Sequence, residues 1–172
     1  MYMKHLYFVR HGLSVMNKLG IFSGRTDTPL APEGIEQSKL AGQEARNLKI
    51  DVIVSSPLER AWETAVIIAK EIGYPEKDIV RNDLLTERAF GVLEGQPYTG
   101  ARYINEHEGV ESDQNIVARG KEALAYLQSL HRDNVLVVAH GSIGRSIEHA
   151  IDPAVHFDEV DSFPNAKIVQ LL

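Results

Sequence analysis

The stretch NVLVVAHGS, residues 134–142, decides the fold, because an unbroken apolar run ends there in a histidine and a glycine. Two other runs have the same character, KHLYFV at residues 4–9 and DVIVS at residues 51–55. Their apolar and β-branched residues do not alternate with polar ones, which is typical of parallel strands covered on both faces. A further run, AKIVQLL at residues 166–172, predicts a terminal strand.

Helical patterns separate these runs. The predicted helices are Glu33–Leu48, Pro57–Ile72 and Ile116–Leu130. Before the second, Ser56 and Glu59 match the pattern of a capping box with Pro57 at the first helical position, and Gly73 follows the predicted end. Strands that alternate with helices predict an α/β protein, a three-layer α/β/α sandwich around a mostly parallel central sheet.

Composition predicts an ordinary globular protein. A chain of 172 residues with no repeat or linker is expected to form a single domain over residues 1–172. Its 44% hydrophobic and 24% charged residues exclude disordered and fibrous classes, and the absence of cysteine excludes disulfides and thiolate catalysis. The segment from Glu87 to Asp113 is rich in glycine and polar residues, and we interpret it as an active-site loop or short lid.

The charge and the apolar pattern restrict the partners. A net charge of −6 argues against a nucleic-acid partner, which requires a basic face. No apolar run is long enough to cross a bilayer, so no membrane partner is expected. The first nine residues lack the pattern of a secretory signal. We therefore expect a cytoplasmic protein, and the oligomeric state stays open.

Two histidines stand at the ends of predicted strands. His11 follows the first strand and His140 follows residues 134–139, and the next residues are Gly12 and Gly141. Ligands of open α/β sheets bind beyond the carboxyl ends of the strands, so the histidines should converge on one crevice if their strands are neighbours. Gly141 and Ser142 open an expected helix whose N–H groups favour an anion.

Two arginines strengthen the interpretation as an anion site. Arg10 precedes His11, and Arg60 lies in the first turn of the helix after the second strand, at the same sheet edge. The planar guanidinium binds two phosphate oxygens at once, and the arginines disfavour a metal cation. Taken singly, Arg60 could be a solvated helix residue and Glu87 a surface ion pair with Arg88. Their joint placement favours a phosphate pocket with Glu87 as its acid.

At this point the chain resembles the histidine phosphatase superfamily, also called the phosphoglycerate mutase-like family. The resemblance covers nearly the whole sequence and rests on five motifs in the family's order. These motifs are Arg10-His11-Gly12 with Asn17, the loop Phe22–Leu30, Ser55–Ala61, Leu85–Gly91 continued by Glu94-Gly95, and Glu111-Ser112 together with Val138–Ser142.

The resemblance implies catalytic roles. His11 attacks phosphorus and becomes phosphohistidine, while Glu87 protonates the leaving alkoxide and then deprotonates the hydrolytic water. Arg10, Arg60 and His140 complete the catalytic set. The phosphate-binding set is Arg10, Asn17, Ser23, Gly24, Arg60, His140, Gly141 and Ser142. The resemblance implies no metal and no organic cofactor.

Departures from the family pattern shape the functional prediction. Leu13 stands where many members have an acid, and Ala31-Pro32 stands where a threonine often precedes the helix. The segment from Gly95 to Gly120 is shorter than the mutase insertion and offers few cations, which favours hydrolysis over phosphate return. We predict a phosphatase for a small phosphorylated substrate. The alternatives are a phosphomutase, a phosphohistidine protein phosphatase and a catalytically silent phosphate-binding module.

Overall fold

The computed structural model describes residues 3–99, 104–157 and 163–172. Its sheet has the strand order β3-β2-β4-β1-β5. The strands are β1 His5–Arg10, β2 Val52–Ser55, β3 Val80–Arg81, β4 Asn134–Ala139 and β5 Ile168–Gln170. The pairs β2–β3, β2–β4 and β1–β4 are parallel, and β5 runs antiparallel to β1. The prediction of a mostly parallel sheet is confirmed.

Helices cover both faces of the sheet. They are α1 Val15–Lys18, α2 Pro32–Ala45, α3 Glu59–Ile72, α4 Asp113–Ser129 and α5 Gly141–Ile151. Helices α2 and α3 pack on one face, and α4 and α5 pack on the other. The three-layer α/β/α architecture is therefore confirmed. Within the described ranges, none of the helices has the length and apolar character that crossing a bilayer requires.

Strand β1 shows why the sequence pattern lacks alternation. Leu6 and Phe8 point into the core under α4 and α5, whereas Tyr7 and Val9 point into the core under α2 and α3. Successive side chains of a strand point to opposite faces, so burial of both faces makes every position apolar.

The predicted start of α3 is wrong, because the capping box does not form. The helix begins at Glu59, and the Ser56 hydroxyl accepts a bond from the Leu58 N–H at 3.2 Å instead. The cap comes from a distant loop, where the Asp27 carboxylate accepts the Glu59 N–H at 2.7 Å. The end is as predicted, with Gly73 in the left-handed conformation at φ 71°.

Other boundaries differ by a few residues. Helix α2 starts at Pro32 and ends at Ala45, and α4 starts at Asp113 because the Ser112 hydroxyl accepts the Asn115 N–H at 3.2 Å. The two-residue strand β3 has too little pattern to be predicted.

The segment from residue 87 to residue 113 contains short 3₁₀ turns at 91–93 and 104–106. Phe90 forms an isolated bridge with Val110, and Pro97 forms one with Ile21. Residues 100–103 of this predicted lid lie outside the described residues.

The remote cap of α3 gives a stability prediction. Replacement Asp27→Ala removes the acceptor of the Glu59 N–H, so we expect unfolding to become easier by about 1 kcal/mol. Urea denaturation measures this change, and Asp78→Ala at an exposed site is the matched control. Equal midpoints for the two variants would contradict the capping role.

Candidate active site

The sheet brings the two histidines together. Strands β1 and β4 are parallel neighbours with Arg10 opposite Ala139, and the His11 N–H donates to the Ala139 carbonyl at 2.9 Å. The rings of His11 and His140 lie 5.2 Å apart between centroids. On the other side of β4, the Ser56 hydroxyl lies 2.7 Å from His140 Nε2. The predicted convergence at one sheet edge is confirmed.

The tautomer of His11 follows from its hydrogen bonds. Its Nδ1 lies 2.7 Å from the Gly12 carbonyl, which can only accept, so Nδ1 carries the proton. The lone pair therefore resides on Nε2, which accepts a hydrogen bond from Arg60 Nε at 3.2 Å. The residue is only 3% exposed. His11 thus presents a single, oriented nucleophilic nitrogen.

Gly12 lets the loop after β1 pack against α2. A Cβ at this position would lie 2.4 Å from the Gly34 carbonyl oxygen and 2.8 Å from the Ser38 hydroxyl. The Gly12 N–H donates to the Thr64 hydroxyl of α3 at 3.0 Å. The backbone beside His11 is therefore held by two helices.

Arg60 is fixed by backbone carbonyls rather than solvated. It is 1% exposed, and its terminal nitrogens donate to the Gly24 and Thr26 carbonyl oxygens at 2.7 and 3.1 Å. With the bond to His11, three of its nitrogens have assigned partners. The alternative interpretation of Arg60 as a solvated helix residue is wrong, and its guanidinium is held next to His11 Nε2.

Glu94 shapes the loop that holds Arg60. Its carboxylate accepts the backbone N–H groups of Arg25, Thr26 and Phe90 at 2.9–3.1 Å. Gly24 adopts φ 51°, and a Cβ there would meet this carboxylate. Burial opposes ionisation of Glu94, but the hydrogen bonds outweigh it and lower its pKa. Glu94 belongs to the motif Glu94-Gly95, but its sequence position did not predict this role.

Glu87 lies at the start of α5. Its carboxylate accepts the backbone N–H groups of Arg88, Ser142 and Ile143 at 2.8, 3.2 and 3.3 Å, and the residue is only 9% exposed. The helix N-terminus carries partial positive charge, which attracts the carboxylate. The Ser142 N–H that the sequence offered to a phosphate thus contacts Glu87.

Arg119 supports the loop that carries Glu87. It donates to the carbonyl oxygens of Leu84, Thr86 and Glu87, and it forms a bidentate pair with Glu111 at 2.7 and 3.0 Å. Arg119 is one of the two arginines in the cation-poor segment from Gly95 to Gly120, and its guanidinium is occupied by the protein. The other, Arg102, lies outside the described residues.

These side chains surround a cavity of about 460 Å³. Nine of the predicted residues line it, namely Arg10, His11, Asn17, Ser23, Gly24, Arg60, Glu87, Gly141 and Ser142. His140 is not among the lining residues and lies fully buried beside the His11 ring.

The rest of the lining was not assigned to the site from the sequence, in which Leu13 stood out only as a departure from the family pattern. These residues are Leu13, Gly20, Ile21, Phe22, Phe90, Tyr98, Ile104, Arg145 and Asn165. Phe22 packs between two other rings, with centroids 5.2 Å from Phe90 and 4.8 Å from Tyr98. The lining therefore combines cationic side chains with aromatic and aliphatic ones.

The family model of the histidine phosphatase superfamily (branch 1) matches residues 6–171 of the chain. The chain belongs to this superfamily. It is an enzyme of the phosphatase type, with the catalytic chemistry of the family.

Curated relatives include both phosphatases and mutases. A Hydrogenobacter thermophilus protein provisionally named phosphoserine phosphatase 2 is 35% identical over 155 residues, covering 81% of this chain and 74% of the relative. The phosphoglycerate mutase of Schizosaccharomyces pombe is 31% identical over 161 residues, covering 83% and 76%.

A solved structure shows the same architecture. The mycobacterial glucosyl-3-phosphoglycerate phosphatase superposes with a TM-score of 0.85 at 25% identity, over 97% of this chain and 90% of that one.

The site of this histidine phosphatase keeps its histidines neutral. Burial lowers the pKa of both His11 and His140 well below the ordinary 6.5, and the positive charges of Arg60 and Arg10 lower them further. A neutral imidazole retains the lone pair that a nucleophile requires. In the described part of the chain, no group of three or more His, Asp or Glu side chains could hold a metal ion.

The lowered pKa values predict acid destabilisation. As pH falls through about 6.5, the unfolded chain protonates histidines that the folded site keeps neutral, so unfolding becomes easier by up to ~1.4 kcal/mol per histidine per pH unit. Replacement His140→Gln should reduce the slope of the unfolding free energy against pH by the contribution of one histidine. Urea denaturation at several pH values across that range measures this slope. Exposed His107→Gln controls for the loss of a histidine. A slope equal to that of the wild type in His140→Gln would refute the prediction that the folded protein keeps His140 neutral.

Proposed function

We propose that this chain hydrolyses a small phosphomonoester through a phosphohistidine intermediate on His11. One observation carries the proposal: a buried histidine, with its proton fixed on Nδ1, presents Nε2 to a cavity that also contains Arg10, Arg60 and Glu87. A nucleophile, two cations and an acid in one cavity are the parts that phosphoryl transfer requires.

The first step is attack on phosphorus. His11 Nε2 forms a bond to phosphorus while the ester P–O bond breaks, and the electron pair leaves with the alkoxide oxygen. Glu87 supplies the proton that makes this alkoxide a better leaving group. The Nδ1–H bond to the Gly12 carbonyl stabilises the positive charge that develops on the ring.

The second step returns the site to its starting state. Glu87, now a carboxylate, takes a proton from a water molecule as the water oxygen attacks phosphorus. The P–Nε2 bond breaks, its electron pair returns to His11, and inorganic phosphate leaves with Glu87 protonated again. Both steps use only groups of this chain, so we propose a reaction without metal or organic cofactor.

Phosphate binding requires a rearrangement of donors. Arg60 Nε donates to the lone pair that attacks phosphorus, so this N–H must turn to a phosphoryl oxygen when substrate binds. Arg10, Asn17, Ser23 and Gly24 are proposed as further contacts. The buried Ser23 hydroxyl has no hydrogen-bond partner within the described residues and can donate to such an oxygen.

His140 and the start of α5 complete the proposed phosphate site. His140 packs against the nucleophile, and its buried Nδ1 has no partner among the residues described. A bound phosphate dianion would favour protonation of His140 and a hydrogen bond from it. Gly141 and Ser142 line the same cavity.

Water rather than a second substrate is the proposed acceptor. The segment between Gly95 and Gly120 is short, which leaves little material to exclude water from a phosphohistidine. The relatives named as mutases make phosphate return the second candidate.

We propose that the chain acts as one domain in the cytoplasm, with the segment from Glu87 to Asp113 as its lid, on substrates that are small molecules. The cavity of about 460 Å³ suits a small ligand, and its apolar side suits a carbon skeleton. A phosphohistidine protein substrate is less favoured, because such a reaction needs no separate acid like Glu87.

Replacement His11→Ala removes the nucleophile, so kcat for p-nitrophenyl phosphate should fall on the order of 1,000-fold or more. The assay includes a chelator and compares an exposed-site variant, His107→Ala. Full activity of His11→Ala would disprove the nucleophile assignment.

The intermediate itself can be trapped. Rapid quench during turnover should yield phosphate on His11 that is labile in acid and stable in base. Addition of a phosphorylated acceptor distinguishes the hydrolase from the mutase, since only the mutase would form a new ester in place of inorganic phosphate. Phosphate on a serine would refute the scheme.

Replacement Glu87→Gln should slow alkyl phosphates about 100-fold or more, because an alkoxide needs a proton to leave. p-Nitrophenyl phosphate should be affected far less, since its leaving group is stable as an anion. His11→Ala is the comparison, because it should depress both substrates together. An equal loss for both substrates in Glu87→Gln would exclude its role as an acid.

A further inference from the structure

One peptide group links the ring of His11 to a side chain of α2. This peptide joins Gly12 to Leu13. Its carbonyl oxygen lies 2.7 Å from His11 Nδ1, and its N–H donates to Gln37 Oε1 at 2.9 Å. A backbone N–H can only donate, so the atom of Gln37 that it contacts is the amide oxygen. Gln37 does not line the cavity, yet it contacts the peptide that fixes the proton of His11.

Helix α2 approaches this peptide closely, and the approach leaves the peptide dependent on Gln37. A Cβ on Gly12 would lie 2.4 Å from the Gly34 carbonyl oxygen, so a stiffer residue cannot replace Gly12. Glycine leaves the backbone conformation free, so the orientation of the next peptide must be set from outside. Gln37 lies one turn after Gly34 on the same face of α2, where its amide oxygen reaches the Leu13 N–H.

The preceding peptide, between His11 and Gly12, is held by different side chains. Asn165 Nδ2 donates to the His11 carbonyl oxygen at 2.8 Å. The Gly12 N–H donates to the Thr64 hydroxyl at 3.0 Å. Loss of the Gln37 amide should therefore loosen one peptide and leave the position of the His11 backbone unchanged.

We propose that Gln37 is a positioning residue that acts through the Gly12–Leu13 peptide on the tautomer of His11. When Gln37 Oε1 accepts the peptide N–H, it polarises the peptide and makes the Gly12 carbonyl a stronger acceptor. A stronger acceptor holds the proton on Nδ1 and leaves the lone pair on Nε2, where the proposed attack requires it. This inference rests on the proposed function of His11 as the nucleophile.

The effect of Gln37 should be greatest during the chemical step. In the free enzyme, Arg60 Nε also favours the lone pair on His11 Nε2, but this N–H turns to a phosphoryl oxygen in the proposed complex. The bond from Nδ1 to the Gly12 carbonyl persists, and it becomes charge-assisted as the ring gains positive charge. An interaction that strengthens in the transition state raises kcat rather than lowering KM.

Rapid-quench measurement of phosphohistidine formation tests the kinetic effect. Replacement Gln37→Met removes the acceptor at similar side-chain length, so the rate constant with saturating p-nitrophenyl phosphate should fall about 3- to 10-fold. Inhibition by inorganic phosphate should stay as in the wild type, because Gln37 lies outside the cavity lining. Gln37→Glu retains an acceptor and should restore the rate constant. Gln43→Met, at an exposed position of the same helix, is the matched control.

Three kinetic outcomes would overturn the proposal. The first is an unchanged rate constant in Gln37→Met. The second is an equal loss in Gln37→Glu, since that variant keeps an oxygen acceptor. The third is a parallel loss of inhibition by inorganic phosphate, which would indicate a general disturbance of the site.

Nitrogen-15 NMR of histidine-labelled protein reads the tautomer directly and requires no turnover. The His11 signals, identified by their absence from His11→Ala, should show a protonated Nδ1 and an unprotonated Nε2 in the wild type. Gln37→Met should shift these signals toward the other tautomer, whereas Gln37→Glu and Gln43→Met should keep them. Unchanged signals in Gln37→Met would overturn the proposal.

The wild type alone also tests the proposal, which covers the case in which Gln37→Met fails to fold. A wild-type spectrum with the His11 proton on Nε2 would overturn the proposal without any variant at Gln37. Full activity of His11→Ala would instead refute the proposed function, and it is measured separately from the tautomer.

Discussion

The burial of one guanidinium is the constraint on which the site depends. Arg60 is 1% exposed, and among the described residues no carboxylate lies within ion-pair distance of it. A buried cation is costly unless hydrogen bonds and an opposite charge compensate it. The Gly24 and Thr26 carbonyls supply the hydrogen bonds. The carboxylates of Glu87, Asp27 and Glu94 act on it only through space, which leaves the guanidinium able to pair with the phosphate of the proposed substrate.

The loop geometry around Arg60 follows from the same requirement. Two carbonyls can face the guanidinium only if the loop from Phe22 to Thr28 turns sharply, and Gly24 provides the left-handed residue. Glu94 then satisfies the N–H groups that the turn leaves on the other side. Asp27, from the same loop, caps the helix that carries Arg60. The loop, the cap and the arginine are therefore mutually dependent parts of one local structure.

The features that could be predicted from the sequence are those whose residues follow one another directly along the chain. The strands could be predicted because burial on both faces makes them apolar throughout, and His11 and His140 stand directly after such strands. The cap by Asp27 could not be predicted, because Glu59 lies 32 residues away along the chain. The nearby Ser56 matched the capping-box pattern better. The contacts of Arg119 and the packing of the rings around Phe22 could not be predicted either. They join residues far apart in the sequence and depend on how loops pack.

The hydrogen bonds of the site also explain how His11, the proposed nucleophile, can lie next to arginines and still react. Arg60 Nε–H occupies the lone pair of His11, and the α5 N–H groups occupy Glu87. His11 Nε2 and the Glu87 carboxylate are thus each held by N–H donors. A phosphoryl oxygen can accept hydrogen bonds from the same donors. A dianion competes better for Arg60 than a neutral imidazole does, because the bond is then charge-assisted at both ends. In the proposed reaction, substrate binding itself therefore frees His11 Nε2, which couples phosphate recognition to the first chemical step.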